Sequence, residues 1–219
     1  GFMGALVVLV APRLWRDPER PHLSFLWGLV AMGLAVAGFQ ADVLRGLYPM
    51  RWVLVGVGVM MALILIVLGR VSMRIVNDAL DAERVRHRAE EPLLRREDDE
   101  IVDYRARPPR RNLAIFGIAL YTAADFLWPG SVVSGWLALA AAAAIFNVLN
   151  DWHVGRALFS RWALMLYAVY WLMALGYALI GVAALGAPLA PSAGLHLLTV
   201  GAMGVSIFAV LCIAGRTHA

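Results

Sequence analysis

Residues 52–69 read WVLVGVGVMMALILIVLG and contain no charged side chain. A helix of about 20 apolar residues crosses the hydrocarbon core of a bilayer, and in lipid a helix satisfies all of its own backbone hydrogen bonds. This stretch therefore predicts a membrane-spanning helix. Apolar stretches that predict further spans lie at residues 23–44, 113–128, 132–149, 162–186 and 195–214.

The chain opens with an apolar stretch that is shorter, GFMGALVVLVA at residues 1–11. No basic residue precedes it, whereas a secretory signal peptide needs a positively charged start. We interpret it as the second half of a further span, and the whole chain as a portion of a longer protein. The predicted fold class is all-α, a polytopic transmembrane helix bundle of about seven spans, the first of them partial. Its expected segments are spans at 1–69, a charged loop at 70–111 and spans at 112–219.

The composition excludes a soluble globular domain, since 62% of the residues are hydrophobic and the mean hydropathy is +0.74. The net charge of +4 and the pI near 9.7 do not indicate a nucleic-acid partner, because the basic residues lie between the apolar stretches. The expected partner is the lipid bilayer. The single cysteine, Cys212, lies within the last stretch and is interpreted as a small buried apolar residue.

All 19 basic residues are arginines, and they alternate from loop to loop. Seventeen lie on one predicted side, which we call the arginine-rich face; it comprises residues 12–22, 70–111, 150–161 and 215–219. The other side holds only Arg45 and Arg51, and we call it the arginine-poor face; it comprises residues 45–51, 129–131 and 187–194. Cytoplasmic loops carry an excess of basic residues, so the arginine-rich face is predicted to be cytoplasmic.

The long loop at 70–111 balances its eleven arginines with ten acidic residues. Val71, Ile75, Ala79 and Leu80 recur near helical spacing, which predicts a short amphipathic helix on the cytoplasmic surface. The dipeptide Glu91-Pro92 is expected to end that helix. We interpret the rest of the loop as a solvated tether between two groups of spans.

Few polar side chains lie within the predicted spans, and such residues are often functional in membranes. Asp42, Asp125 and Asn147 are candidates for a solute or proton path, which would make the chain a transporter or a non-catalytic subunit of a membrane complex. Asp125 lies one turn from the predicted end of its span, so an interfacial position is the alternative interpretation.

Two histidines mark the ends of the last span, His196 on the arginine-poor side and His218 on the arginine-rich side. They are 22 positions apart, which corresponds to about 33 Å of helix, so one metal ion cannot bind both. Closely spaced ligand motifs such as CxxC or HExxH do not occur in the sequence.

Three segments resemble the NnrS family of polytopic membrane proteins. The most specific is LHLLTVGAMG at residues 195–204. Gly69-Arg70, followed by Asn77-Asp78-Ala79-Leu80, is similar to a span end of that family, and Arg161-Trp162 is similar to the start of another span.

The resemblance implies a protein of the bacterial inner membrane that carries haem and copper and takes part in nitric oxide (nitrosative) stress tolerance or denitrification. It also implies that His196 and His218 are metal ligands. Arg70 and Arg216 would then pair with haem propionates, because guanidinium groups bind carboxylates in a bidentate manner.

Overall fold

The computed structural model describes residues 2–15, 23–90, 107–152 and 154–217, and the regular elements of these ranges are helices. Two short 3-10 turns at Asn150–Trp152 and Gly155–Phe159 connect α5 to α6. A π-helical segment, Leu197–Met203, joins α7 to α8. The helices are α1 (Phe2–Trp15), α2 (Leu23–Leu44), α3 (Met50–Glu90), α4 (Pro108–Leu127), α5 (Val132–Leu149), α6 (Arg161–Ala184), α7 (Pro191–His196) and α8 (Gly204–Thr217).

Within the described ranges, five helical stretches are long and apolar enough to cross a membrane: Leu23–Leu44, Met50–Glu83, Val132–Trp152, Arg161–Ala184 and Pro191–Gly215. The all-helical prediction is confirmed, whereas the count of about seven spans is not. Helix α1 has only 14 residues, and α4 begins with Pro108-Pro109-Arg110-Arg111-Asn112, which leaves a short apolar run.

Helix α3 corrects the predicted boundary at Gly69, because it runs without a break from Met50 to Glu90. Residues 70–90 contain neither proline nor glycine, so nothing in the sequence ends the helix there. Ser72 and Val76 are fully buried. The amphipathic segment is therefore an extension of the span that packs on the bundle, rather than a separate surface helix. The predicted end at Glu91-Pro92 lies outside the described residues.

The core lies between α3, α4, α5 and α6, and small residues bring α5 and α6 together. Ala138 and Ala141 on α5 are fully buried. A Cβ atom added to Gly181 on α6 would lie 2.9 Å from the carbonyl oxygen of Gly135 on α5. Small residues allow this close approach, and dispersion contacts then hold helices together in lipid.

The helix ends alternate between the two faces as the arginine pattern predicts. One cavity is lined by the start of α3, the end of α4, the end of α6 and α7, all on the arginine-poor face. A second cavity is lined by Arg70 of α3, Arg161 of α6 and Ala214 of α8, on the arginine-rich face. The structure thus places the described helix ends of the two faces at opposite ends of one bundle.

Candidate functional site

His196 is the last residue of α7, and its imidazole is exposed at the arginine-poor end of the bundle. Its Nδ1 atom lies 2.6 Å from the backbone oxygen of Ser192, one turn earlier. Because a carbonyl oxygen only accepts hydrogen bonds, Nδ1 must carry the hydrogen and donate it. In the neutral ring with this tautomer, Nε2 carries the lone pair through which an imidazole binds a metal.

The helix changes its winding immediately after His196. Leu197–Met203 is π-helical, and the Thr199 hydroxyl donates a hydrogen bond to the backbone oxygen of Leu195 at 2.8 Å. Short π-helical segments occur frequently at functional sites. No feature of the sequence predicted this change, since periodicity does not distinguish one turn of π-helix from α-helix.

A close helix crossing fixes where α7 places His196. A Cβ atom on Gly194 would lie 2.5 Å from the backbone oxygen of Gly176 on α6. Leu198, one turn after Gly194, also packs on Gly176, since a Cβ atom there would lie 2.6 Å from its Cδ2. The two glycines thus allow backbone contact between α6 and α7 two residues before the histidine.

Arg70, another predicted site residue, lies at the opposite end of the bundle from His196. Arg70 is half-buried on α3 and lines the cavity that Ala214 of α8 also lines. Eighteen residues, or about 27 Å of helix, separate Ala214 from His196. Arg70 and His196 therefore face different ends of the bundle. Arg216 lies in the last turn of α8 without a described side chain, and His218 lies outside the described residues.

A polyhistidine or carboxylate metal cluster is absent from the part of the chain that the structure describes. No group of three or more His, Cys, Asp or Glu side chains lies close enough there to hold one ion. His196 therefore offers a single ligand, and the described residues do not complete a site that needs three.

A cavity of about 260 Å³ lies beside His196 on the arginine-poor face. It is lined by Arg51, Asp125, Tyr121 and Tyr177, whereas His196 does not line it. The rings of Tyr121 and Tyr177 meet edge to face, with 5.5 Å between their centroids. The Tyr177 hydroxyl is buried without a hydrogen-bond partner among the described residues. Sequence reasoning missed Tyr121, although its position one turn before Asp125 places both on the same side of α4.

The candidates for a solute or proton path each have a local hydrogen-bond partner. Asp42 is buried and pairs with Arg51 at 3.0 Å. Asp125 accepts a hydrogen bond from the backbone N–H of Gly130 at 3.2 Å, which closes the turn after α4. Asn147 accepts one from the side chain of Asn150. These contacts give all three residues a structural role.

An apolar cavity of about 880 Å³ lies between α2, α3 and α4. Its lining includes Trp27, Trp52 and Phe116 and contains no charged side chain and no histidine. Among the described residues it offers no metal ligand, so it does not compete with His196 as the candidate site.

The hydropathy, the helical bundle and its alternating ends define an integral membrane protein of the polytopic helical class. The family model described as NnrS protein matches residues 1–219, the whole chain. The chain therefore belongs to the NnrS family. Comparisons with curated proteins and with solved structures find no match.

Proposed function

We propose that this NnrS-family membrane protein binds haem through His196 and takes part in the response to nitric oxide, in nitrosative stress or denitrification. The observation that carries the proposal is the 2.6 Å contact between Nδ1 of His196 and the backbone oxygen of Ser192. Metal-binding histidines commonly donate their second ring N–H to a carbonyl oxygen, which fixes the ring orientation and makes the ligating nitrogen more basic.

A single exposed imidazole fits haem better than it fits copper, because haem needs fewer protein ligands. A haem iron takes four ligands from its macrocycle, so one protein side chain is enough to hold it from one side. Copper, which the family resemblance also implies, usually takes several protein ligands. The described residues offer no such group around His196. A bound haem would supply an iron position that binds diatomic gases, while Ser192 and the α6–α7 crossing would keep the imidazole aimed at it.

The position of His196 is suited to a partner that arrives through lipid. Nitric oxide is small and uncharged, so it dissolves in hydrocarbon and needs no polar channel. His196 lies at the start of a membrane-spanning stretch, Pro191–Gly215, and is not covered by the described residues. The family resemblance implies the bacterial inner membrane, and the positive-inside rule would put the arginine-rich face in the cytoplasm.

Arg70 and Arg216 lie on helices at the arginine-rich face, whereas His196 lies at the arginine-poor face. We assign them as carboxylate partners only for a haem at the arginine-rich face, where His218 follows α8 in the chain. The proposal thus separates His196 at one end of the bundle from Arg70 and the end of α8, which carries Arg216, at the other.

An absorption spectrum of the detergent-purified protein loaded with haem tests this assignment. The wild type is expected to show a Soret band that shifts when nitric oxide is added. His196→Ala should lose the band, whereas His87→Ala, a histidine near the far end of α3, should retain it. Absence of a Soret band in the wild type overturns the proposal. Loss of the band in His218→Ala but not in His196→Ala would move the haem to the opposite face.

A further inference from the structure

A charged cavity of about 720 Å³ lies where α3, α6 and α8 meet on the arginine-rich face. Arg70 and Arg74 of α3 and Arg161 of α6 line it, against a single carboxylate, that of Asp78. The charged side chains of the lining therefore carry a net +2. Three guanidinium groups around one cavity present many N–H donors in planar arrays, the arrangement that binds phosphate oxygens well.

The beginning of α6 adds further donors to the same cavity. Ser160 occupies the N-cap position, but its side chain makes no cap hydrogen bond. Its Oγ atom is buried and has no partner among the described residues, and the same holds for Nε1 of Trp162. Both residues line the cavity. The first backbone N–H groups of a helix are unpaired and lie at the positive end of its dipole, so they also favour an anion.

The remaining walls of the cavity are apolar. Val210 and Ile213 of α8 line it together with Val71 and Ile75 of α3. The cavity thus joins a cationic, donor-rich part to a hydrocarbon-like part, at the level where membrane-spanning stretches begin and end. Trp162 is suited to this level because its ring is apolar and its N–H is polar. An anion without acyl chains would leave the apolar walls without a partner.

We propose that this cavity binds the phosphate headgroup of an anionic phospholipid. The arginines, Ser160 and the start of α6 would hold the phosphate oxygens, and the valine and isoleucine side chains would pack against the acyl chains. Basic pockets between spans are a recognised way of binding anionic lipid headgroups. The bound lipid would join α3, α6 and α8 at one end, independently of His196 at the other.

Native mass spectrometry of the full chain in detergent measures this binding directly. The probes are dioleoylphosphatidylglycerol, which is anionic, and dioleoylphosphatidylcholine, which has no net charge. The wild type is expected to retain the anionic lipid preferentially. Arg74→Gln together with Arg161→Gln should weaken its retention roughly 30-fold, since each basic residue near anionic lipid contributes about a fivefold preference.

Arg156→Gln is the matched control, because Arg156 is an exposed arginine on the same face that does not line the cavity. It should retain the lipid as the wild type does. Ser160→Ala removes one donor without changing charge and is expected to weaken retention about threefold, provided that size-exclusion elution shows a folded protein. The haem spectrum should stay unchanged in all these variants, which separates this test from that of His196.

Equal retention of the two lipids, or equal losses in Arg156→Gln and in the double variant, would overturn the proposal. A different outcome is that millimolar inorganic phosphate displaces phosphatidylglycerol and binds in its place. The cavity would then be a phosphate site whose ligand comes from solution, and the lipid proposal would fail.

Discussion

The Oδ2 atom of Asp42 accepts hydrogen bonds from Nε and Nη2 of Arg51, at 3.1 and 3.0 Å. The same oxygen accepts a third hydrogen bond from Nε1 of Trp52, at 2.8 Å. The Asp42 side chain is only 5% exposed, whereas that of Arg51 is 45% exposed. The guanidinium of Arg51 also lies 5.0 Å from the ring centre of Phe126 on α4. One buried carboxylate thus connects α2 to α3, and Arg51 extends the contact to α4.

Arg51→Ala is expected to destabilise the bundle more than Asp42→Asn does. Removing Arg51 leaves a buried carboxylate with Trp52 as its remaining donor, which costs about 3 kcal/mol. Removing the carboxylate leaves an arginine that reaches water, so a loss of about 1–2 kcal/mol is expected. Thermal unfolding in one detergent measures both. Arg45→Ala, an exposed arginine of the same turn, should have little effect. A larger loss for Asp42→Asn would contradict the assigned roles.

Gly194→Ala tests the α6–α7 crossing that positions His196. The added Cβ would lie 2.5 Å from a backbone oxygen and 2.6 Å from Cγ1 of Ile180. Because backbone cannot give way as a side-chain tip can, the helices must move apart, at a cost of about 2–3 kcal/mol. Gly204→Ala, whose Cβ would meet nothing closer than 4.0 Å, is the matched control.

Gly194→Ala should also weaken or shift the Soret band if haem binds at His196, whereas Gly204→Ala should leave the band unchanged. An unfolding temperature equal to that of the wild type in Gly194→Ala would show that α7 does not pack closely on α6.

Much of the fold follows from residue types alone. The limits of α2 and α5 agree with the apolar stretches, because those helices end where charged residues or turn residues begin. The continuation of α3 past Gly69 was not predicted, since a change from apolar to charged residues resembles the start of a loop. The burial of Ser72 and Val76 depends on α3 packing against other helices, which composition does not reveal.

The candidate site was predictable only in part. The position of His196 at the start of a span follows from the chain, but its contact with Ser192 depends on a rotamer, and the π-helical turn depends on packing. Asp42 was a candidate for a solute or proton path under the alternative transporter hypothesis, because intramembrane acids are often functional. Its partner Arg51 lies nine residues later across a turn, a separation that periodicity within one helix does not relate.

Tyr177→Phe is expected to stabilise the protein. The Tyr177 hydroxyl is buried and has no hydrogen-bond partner among the described residues, so its desolvation costs roughly 1–3 kcal/mol. Removing it while keeping the ring should raise the unfolding temperature, by about 2–4 °C for each kcal/mol recovered. Tyr48→Phe, an exposed tyrosine on the same face, should change nothing. A lower unfolding temperature in Tyr177→Phe would show that the hydroxyl is hydrogen-bonded to a molecule in the cavity.

Arg110 and Arg107 provide a matched pair around one buried acid. Nη1 of Arg110 lies 2.6 Å from Oδ1 of Asp151, and the side chains are 27% and 3% exposed. Nε of Arg107 lies 3.7 Å from the same oxygen, and its side chain is 69% exposed. The backbone N–H of Arg107 also donates to Asp151, at 3.1 Å, and that bond survives any side-chain change.

Arg110→Ala should therefore lower the free energy of unfolding by about 3 kcal/mol, because it leaves a buried carboxylate without its principal charge partner. Arg107→Ala should lower it by less than about 1 kcal/mol, since an exposed ion pair at this distance is screened by solvent. Unfolding at low and at high salt distinguishes the two, because only the exposed pair is strongly screened. Equal losses in the two variants would contradict the assignment of Arg110 as the principal charge partner of Asp151, which lies in the 3-10 turn after α5.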